Sequence, residues 1–302
     1  MNYLKRSLYF DKIEPFIGDR LIKILVGQRR VGKSHVLLQI KDEVKKRFPK
    51  NTIIYINKED YKFDPLKDYK DLMDFLEPAI TKGKKVHLFI DEIQEIDQFE
   101  LAIRSLQLND NFDIYCTGSN ASLLSSELAS FLAGRYVEFR IYSLNYAEFL
   151  YFHKLNDSSE SFLHYLKIGG MPHLLHLPNK TEVIKEYHKN IYDSIILRDI
   201  VSRHGLRNVT LLNNLTRFLA DSIGSLFSAN SISVYLKSQK LQVQTKTIIE
   251  YISFLEDVFF IDRVKRIDIG GKKIFEIGEK LFFEDLGIRN NLIPFKIQDL
   301  NK

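Results

Sequence analysis

Short apolar runs alternate with amphipathic stretches through the first half of the chain. In the stretches between the runs, apolar residues recur every three or four positions, which predicts helices over 36–44, 71–80 and 99–106. The runs themselves predict five strands, over 21–26, 52–56, 86–90, 114–117 and 137–141. Strands that alternate with helices form a parallel sheet with helices on both faces, so the predicted fold class is α/β.

The pattern changes after residue 143, where helical spacing dominates. Helices are predicted over 146–152, 162–167, 182–203, 210–222, 231–237 and 245–257. Two apolar runs follow, over 258–264 and 272–277, and Gly270-Gly271 lies between them. Two adjacent glycines accept the positive φ of a tight hairpin turn, so these runs are predicted to pair.

Composition places the chain among globular proteins of a reducing compartment. Hydrophobic residues make up 45% and charged residues 27% of the 302 residues, which excludes a disordered chain. The single cysteine, Cys116, has no partner for an intramolecular disulfide. No apolar run is long enough for a membrane span, and the first residues do not resemble a signal peptide. We therefore expect a cytoplasmic protein that does not bind a membrane.

The positive charge is unevenly placed along the chain. Residues 1–160 carry 24 basic and 24 acidic side chains, so the whole net charge of +5 lies in residues 161–302. A positive balance confined to one part of a chain is compatible with a polyanionic partner there, although the magnitude is ordinary.

A phosphate-binding loop follows the first predicted strand. The sequence Gly27-Gln28-Arg29-Arg30-Val31-Gly32-Lys33-Ser34 matches the pattern G-x-x-x-x-G-K-S. Its glycines let backbone amides surround phosphate oxygens at the start of a helix. Arg29, Arg30, Val31 and His35 in the same stretch are also predicted to bind the nucleotide. The Lys33 ammonium is predicted to neutralise the β- and γ-phosphates, and the Ser34 hydroxyl to ligate Mg²⁺.

Two carboxylates follow the third predicted strand. Asp91 is predicted to hold the Mg²⁺, and Glu92 to polarise the attacking water. Adjacent carboxylates after an apolar run also occur at helix N-termini, but the phosphate loop sixty residues earlier favours the catalytic interpretation. Glu92 argues against a small-molecule kinase, in which the acceptor is a substrate hydroxyl and no water is activated.

Two further positions are candidates for the site. Ser119 and Asn120 follow the fourth predicted strand, where a polar side chain could contact the γ-phosphate or orient water, or could cap a helix. Arg135 is a candidate cation for the charge of the transition state, acting within its own subunit or across a subunit interface, and a surface arginine is the alternative.

These motifs together resemble the AAA+ superfamily P-loop ATPases of bacteria and archaea that pair an ATPase core with a C-terminal domain of unknown function. The resemblance covers residues 3–291. It rests on the phosphate loop, Asp91-Glu92-Ile93-Gln94, Thr117-Gly118-Ser119, Leu132-Ala133-Gly134-Arg135, Gly169-Gly170-Met171-Pro172, Ile196-Leu197-Arg198-Asp199-Ile200 and residues 282–290. By similarity, Ser119 is the sensor position and Pro172 packs near the adenine. His35 stands where relatives more often have threonine.

The resemblance also implies a helical lid over 156–208 and a winged helix within 209–302, after an ATPase core over 1–155. The second helix of its helix-turn-helix, over 245–257, takes the position that enters a DNA groove. Candidate phosphate contacts are Lys240, Lys246, Lys265, Arg266, Lys272 and Lys273. Glu250, Glu256 and Asp257 on the same helix weaken the DNA interpretation, and a winged helix also serves as a protein contact.

The resemblance stops where family members usually continue into a nuclease-like domain. This chain ends at Lys302 without the strand pattern of a nuclease, so nuclease activity is not expected. The function predicted from the sequence is a Mg²⁺-dependent ATPase that acts as a nucleotide-driven conformational switch, alone or in an oligomer. The alternatives are a DNA-binding regulator with a slow nucleotide switch, and a scaffold that binds a protein partner.

Overall fold

The computed structural model describes residues 4–81, 85–121, 132, 134–238, 243–265 and 279–293. The chain forms two compact units. The first comprises Met1–Gly27 and Val31–Tyr142, and the second comprises Ser143–Lys302 together with Gln28–Arg30 of the phosphate loop.

The first unit is an α/β layer structure whose strands agree with the predicted ones. Its elements are α1 (Ser7–Ile13), β1 (Ile22–Val26), α2 (Lys33–Arg47), β2 (Thr52–Asn57), α3 (Tyr69–Thr81), β3 (Val86–Asp91), α4 (Phe99–Gln107), β4 (Phe112–Gly118) and β5 (Tyr136–Arg140). The first and last residues of each predicted strand agree with those of an observed strand to within two positions, which confirms the α/β class. Helix α1 was not predicted, because it contributes only Tyr9, Phe10 and Ile13 to the core.

The five strands form one parallel sheet in the order β2-β3-β4-β1-β5. Every residue of β1, β3 and β4 is buried, as expected for strands covered on both faces. Helix α2 packs against these same three strands. Because β1 lies between β4 and β5, the strand order reverses beside it, and a crevice opens at the carboxyl ends of strands at such a point.

The second unit begins with helices. They are α5 (Tyr146–His153), α6 (Ser159–Ile168) and α7 (Thr181–Ser194), which continues into a π-helix at Ile195–Ser202. The predicted core extended to residue 155, yet α5 packs on α6 through ring contacts of Tyr146 with Phe162 and of Phe149 with Tyr165. The second unit accordingly begins at Ser143, and the three-domain division of the sequence stays a prediction.

The rest of the second unit combines helices with a small antiparallel sheet. Its elements are α8 (Val209–Asp221), β6 (Leu226–Phe227), α9 (Ala229–Ser238), α10 (Thr245–Asp257), β7 (Ile261–Lys265), β8 (Glu279–Phe283) and α11 (Leu286–Leu292), and the sheet order is β6-β8-β7. Strand β7 begins three residues later than predicted, after a turn with Phe259 at φ +56°. The predicted strand 272–277 and the Gly270-Gly271 turn lie outside the described residues. Of the helices within the described ranges, none combines the length and apolar content that a membrane span requires.

A buried cluster of charged and polar side chains lies at the amino ends of the central strands β1, β3 and β4. The Asp113 carboxylate on β4 accepts a hydrogen bond from the Lys23 ammonium of β1, and its other oxygen lies 2.7 Å from His87 Nδ1 on β3 and 2.9 Å from the Tyr115 hydroxyl. Lys23, His87 and Asp113 are each 0% exposed. Burial alone would raise the pKa of Asp113, but the His87 hydrogen bond and the Lys23 charge outweigh it and hold that pKa below its usual value.

Replacing Asp113 with asparagine should strongly destabilise the fold. The Lys23 ammonium would stay buried without its counter-ion, so the Asp113→Asn variant is expected to lose about 3–5 kcal/mol of unfolding free energy in urea titrations. The control is Asp110→Asn, which breaks the exposed pair with Arg20 and should cost less than about 1 kcal/mol. An equal loss in both variants would contradict a stabilising role for the buried cluster.

The same cluster predicts a pH dependence with a defined sign. Because the pKa of Asp113 is lower in the folded state, its contribution is complete above the unfolded value of about 3.9 and disappears as pH falls through the folded value. The free energy of unfolding of the parent should therefore fall more steeply below about pH 4 than that of Asp113→Asn.

Candidate functional site

The phosphate loop joins the end of β1 to the start of α2, and two glycines shape it. Gly27 has φ +146°, and a Cβ there would lie 2.1 Å from the carbonyl oxygen of Ile141. Gly32 has φ +97° and directly precedes Lys33, the first residue of α2. A side chain at either position would be strained. The loop therefore leads directly into the amino end of α2, where backbone N–H groups have no intrahelical partner and attract anions.

The Lys33 ammonium lies buried at the carboxyl edge of the sheet. It donates hydrogen bonds to the Gly27 carbonyl oxygen at 3.0 Å and to Ser119 Oγ at 2.8 Å, and it lies 3.9 Å from Glu92 Oε1. Its exposed fraction is 4%. The strand order brings the ends of β1, β3 and β4 together, and with them Lys33, Ser119 and Glu92.

Asp91, the last residue of β3, is a buried acceptor of several hydroxyl groups. The Ser34 hydroxyl donates to its Oδ1 at 3.1 Å, the Thr117 hydroxyl donates to the same oxygen, and the Tyr55 hydroxyl lies 3.4 Å from Oδ2. Burial raises the pKa of the Asp91 carboxyl against the opposing effect of the Thr117 and Ser34 hydrogen bonds. The negative charge here is therefore incompletely compensated, and a cation would stabilise it.

Glu92 has a backbone conformation that few residues of its type adopt. It lies in the left-handed region at φ +57° and ψ +54°. Its N–H donates to Thr117 Oγ1 at 2.9 Å, and its carboxylate accepts from Ser119 Oγ at 3.0 Å and from the Gln94 amide. Backbone strain of this kind persists where the surroundings fix it, commonly at functional sites.

Sequence reasoning did not assign roles to Thr117, Gln94 or Tyr55. Thr117 contacts both acidic residues, since it donates to the Asp91 carboxylate and accepts from the Glu92 N–H. A threonine at the end of the strand next to the acidic pair was the available indication. Gln94 and Tyr55 gave none, because their roles depend on the turn after β3 and on the pairing of β2 with β3.

Other predicted site residues lie in varied surroundings. Val31 is buried, Arg30 and His35 are exposed, and Asn120 is buried beside Ser119 in the chain. Arg29 is buried in the second unit, where it pairs with Asp199. Pro172 begins a short 3-10 helix of the second unit, Pro172–His176, and its place near an adenine stays a prediction.

Arg135 lies apart from these residues. It is exposed and immediately precedes β5, and Tyr136 of that strand pairs with Ile22 at the start of β1. Parallel strands share their direction, so Arg135 lies at the edge of the sheet opposite the phosphate loop. Its own phosphate loop is therefore out of its reach in this structure, and both action across a subunit interface and the role of an ordinary surface arginine remain predictions.

Two family models match consecutive parts of the chain. Residues 19–150 match the model of an AAA domain. Residues 159–299 match a domain of unknown function, DUF8612.

Proteins with related sequences carry the name uncharacterized protein. One from Haemophilus influenzae is 34% identical over 97% of this chain and 74% of its own length. Two from Methanocaldococcus jannaschii are 33% and 23% identical, over 82% and 93% of this chain. The chain spans 57% and 65% of the lengths of these two relatives.

Several solved structures align with most of this chain at low sequence identity. The ORC2 protein of Aeropyrum pernix, solved as ADPNP–ADP complexes, aligns with a TM-score of 0.48 and 9% identity over 98% of this chain and 93% of that chain. RuvB of Thermotoga maritima aligns with a TM-score of 0.42 and 16% identity over 86% and 90%. The family assignment comes from the sequence matches: this chain belongs to the AAA family, and its AAA domain is followed by a match to the DUF8612 domain.

Proposed function

We propose that this chain binds ATP together with Mg²⁺ and hydrolyses it. The observation that carries the proposal is the meeting of Lys33, Ser34, Asp91, Glu92 and Ser119 at one edge of the sheet, linked by direct hydrogen bonds. Each group has the chemistry that one part of the reaction needs, and the loop that leads into α2 supplies the surrounding amides.

Phosphate binding is assigned to Lys33 and the loop backbone. Two of the contacts of the Lys33 ammonium are to neutral oxygens, those of Gly27 and Ser119. Phosphate oxygens carry full negative charge, so they form stronger hydrogen bonds with a buried ammonium than these neutral acceptors do. The amino end of α2 adds N–H donors to the same anion.

The residues present fit a magnesium ion. Ser34 Oγ and Asp91 Oδ1 are hard oxygen donors 3.1 Å apart, the kind of ligand that Mg²⁺ takes alongside phosphate and water. Burial raises the pKa of Asp91, so a bound cation would stabilise the ionised carboxylate. Ser34 and Asp91 would hold the ion, which when bound neutralises charge on the phosphate oxygens.

Glu92 is assigned the role of general base. A water oxygen bonds to the γ-phosphorus while the bridging P–O bond breaks, and ADP leaves with that electron pair. Glu92 accepts the proton that the water loses. The hydrogen bonds from Ser119 and Gln94 fix the direction of the carboxylate, as the task of orienting a water requires.

A switch role is supported by the division of the chain into two units. Residues Gln28–Arg30 belong to the second unit, although Gly27 and Val31 on either side belong to the first. We propose that ATP and ADP favour different arrangements of the protein.

DNA binding through a winged helix is the second candidate function. The order α8, β6, α9, α10, β7, β8 with an antiparallel sheet is the element order of a winged helix. Among the candidate phosphate contacts, Lys246 and Lys265 are exposed, and the other four lie outside the described residues. The Lys246 ammonium lies 4.0 Å from a Glu250 carboxylate oxygen, and this negative charge weakens the attraction of Lys246 for DNA phosphates.

A protein partner is the alternative for the same region. Val234 and Tyr235 on α9 and Ile249 on α10 are between 47% and 60% exposed, an apolar character more suited to a protein surface than to a phosphate backbone. The expected absence of nuclease activity and the expected cytoplasmic location remain predictions, and the oligomeric state remains open.

Removing the Lys33 ammonium should weaken nucleotide binding. In calorimetric titrations with Mg-ATP, Lys33→Ala is expected to weaken affinity by roughly tenfold or more, because the cation that faces the phosphates is lost. Lys45→Ala, at an exposed position of the same helix, is the matched control and should bind like the parent. Unchanged affinity in Lys33→Ala would refute the phosphate-loop assignment.

Glu92→Gln should separate binding from chemistry. The amide keeps the size of the carboxylate but cannot accept the proton of water, so Mg-ATP should still bind while phosphate release falls by roughly a hundredfold or more. The exposed neighbour Glu95, changed to Gln, should leave the rate unchanged. Parental turnover in Glu92→Gln would show that another group is the base.

Neutralising Lys272 and Lys273, which directly follow Gly270-Gly271, tests whether the winged helix binds DNA. If Lys272 and Lys273 each contact a phosphate, the double change to Gln should weaken binding of all duplex sequences alike and flatten the slope of log affinity against log salt by roughly 2. Fluorescence anisotropy with a short duplex measures this slope, and the exposed pair Lys45 and Lys46, both changed to Gln, is the control. A parent protein that binds no duplex at low salt, with or without ATP, would exclude DNA binding.

A further inference from the structure

A buried ion pair holds the third residue of the phosphate loop. Arg29 Nε donates to Asp199 Oδ2 at 2.9 Å, and Arg29 Nη2 donates to Asp199 Oδ1 at 2.9 Å. Both side chains are 8% exposed. The two parallel hydrogen bonds use the planar fork of the guanidinium, which fixes orientation as well as distance and which a lysine could not reproduce.

Asp199 lies in an unusual backbone element of the second unit. The π-helix Ile195–Ser202 directly continues α7, and it buries Asp199 together with Ile195, Ile196 and Ile200. π-helical segments are rare and occur frequently at functional sites. The sequence Ile196-Leu197-Arg198-Asp199-Ile200 therefore places a single carboxylate among buried apolar residues, at a position to which the ATPase chemistry assigns no role.

Stability alone does not explain such a pair. Taking both charges out of water costs about as much as their attraction returns, and apolar residues of similar volume often stabilise a fold as well or better. What a bidentate buried pair does supply is a fixed geometry. Here the fixed residue belongs to the loop whose backbone amides must face the phosphates.

We propose that Asp199 is a positioning residue for nucleotide binding, which it controls through Arg29. The carboxylate holds the Arg29 side chain, and this fixes the backbone N–H groups of residues 28–30 in the conformation that receives phosphate. Because coupling between two sites is reciprocal, phosphate on the loop also stabilises the π-helix that bears Asp199. This inference rests on the proposed binding of ATP.

Affinity for Mg-ATP in a set of single and double variants of the full chain tests the proposal. Asp199→Asn keeps the volume but removes the charge, and it should weaken binding roughly tenfold or more, a coupling typical of residues that share one network. Arg29→Ala should weaken binding similarly. If Asp199 acts only through Arg29, adding Asp199→Asn to Arg29→Ala should change the affinity by less than about twofold.

Two further variants separate this role from a general loss of stability. Glu256→Gln breaks another partly buried arginine–carboxylate pair of the second unit, that with Arg263, and should leave Mg-ATP affinity at the parental value. Arg29→Lys keeps the charge pair but not the fork, and it should also weaken binding. Thermal melts of every variant establish that a folded protein is being titrated.

Amide hydrogen exchange distinguishes a positioning role of Asp199 from a purely structural one, because a structural role would not make exchange depend on Mg-ATP. Mg-ATP should slow amide exchange in residues 195–202 of the parent, and it should not do so in Asp199→Asn at a nucleotide concentration that saturates both proteins. A parent that does not bind Mg-ATP refutes the proposed function and the inference with it. If the parent binds Mg-ATP, either of two results overturns the inference alone. One is an Asp199→Asn variant with the same Mg-ATP affinity and the same amide exchange as the parent. The other is a double variant in which the effects of Arg29→Ala and Asp199→Asn on affinity are additive.

Discussion

The buried ammonium of Lys33 is the interaction on which the rest of the site depends. A cation that is 4% exposed must find acceptors nearby, and it finds the Gly27 carbonyl, the Ser119 hydroxyl and the Glu92 carboxylate. These acceptors come from the ends of different strands, so the strand order of the sheet is a condition for the contact. The left-handed backbone conformation of Gly32 is a second condition for these contacts, because α2 then begins at Lys33.

The pKa values of two buried carboxylates at opposite ends of the sheet shift in opposite directions. At the amino ends, Lys23 and His87 compensate Asp113, and the pKa of Asp113 falls. At the carboxyl edge, Asp91 has mainly hydroxyl partners, and burial raises its pKa. The first carboxylate is satisfied within the protein and stabilises the fold. The second lies 3.1 Å from the Ser34 hydroxyl beside the phosphate loop, and this pair of oxygens is why we assign Mg²⁺ to it.

Much of the first unit could be predicted because its physical causes are local. Buried parallel strands are continuous apolar runs, and the loop glycines and the pair Asp91-Glu92 directly follow such runs. The pair Arg29–Asp199 could not be predicted, because its residues are 170 positions apart and meet only through tertiary packing. The position of Arg135 was predictable in hindsight: a residue that precedes a parallel strand lies at the amino edge, away from the phosphates.

The most direct test of the account is a crystal structure of the full chain with a non-hydrolysable ATP analogue and Mg²⁺. The account predicts the triphosphate within the loop of residues 27–34, the Lys33 ammonium within hydrogen-bond distance of phosphate oxygens, and the metal ion on Ser34 and Asp91. Triphosphate bound elsewhere, with Lys33 still hydrogen-bonded to Gly27 and Ser119, would contradict it.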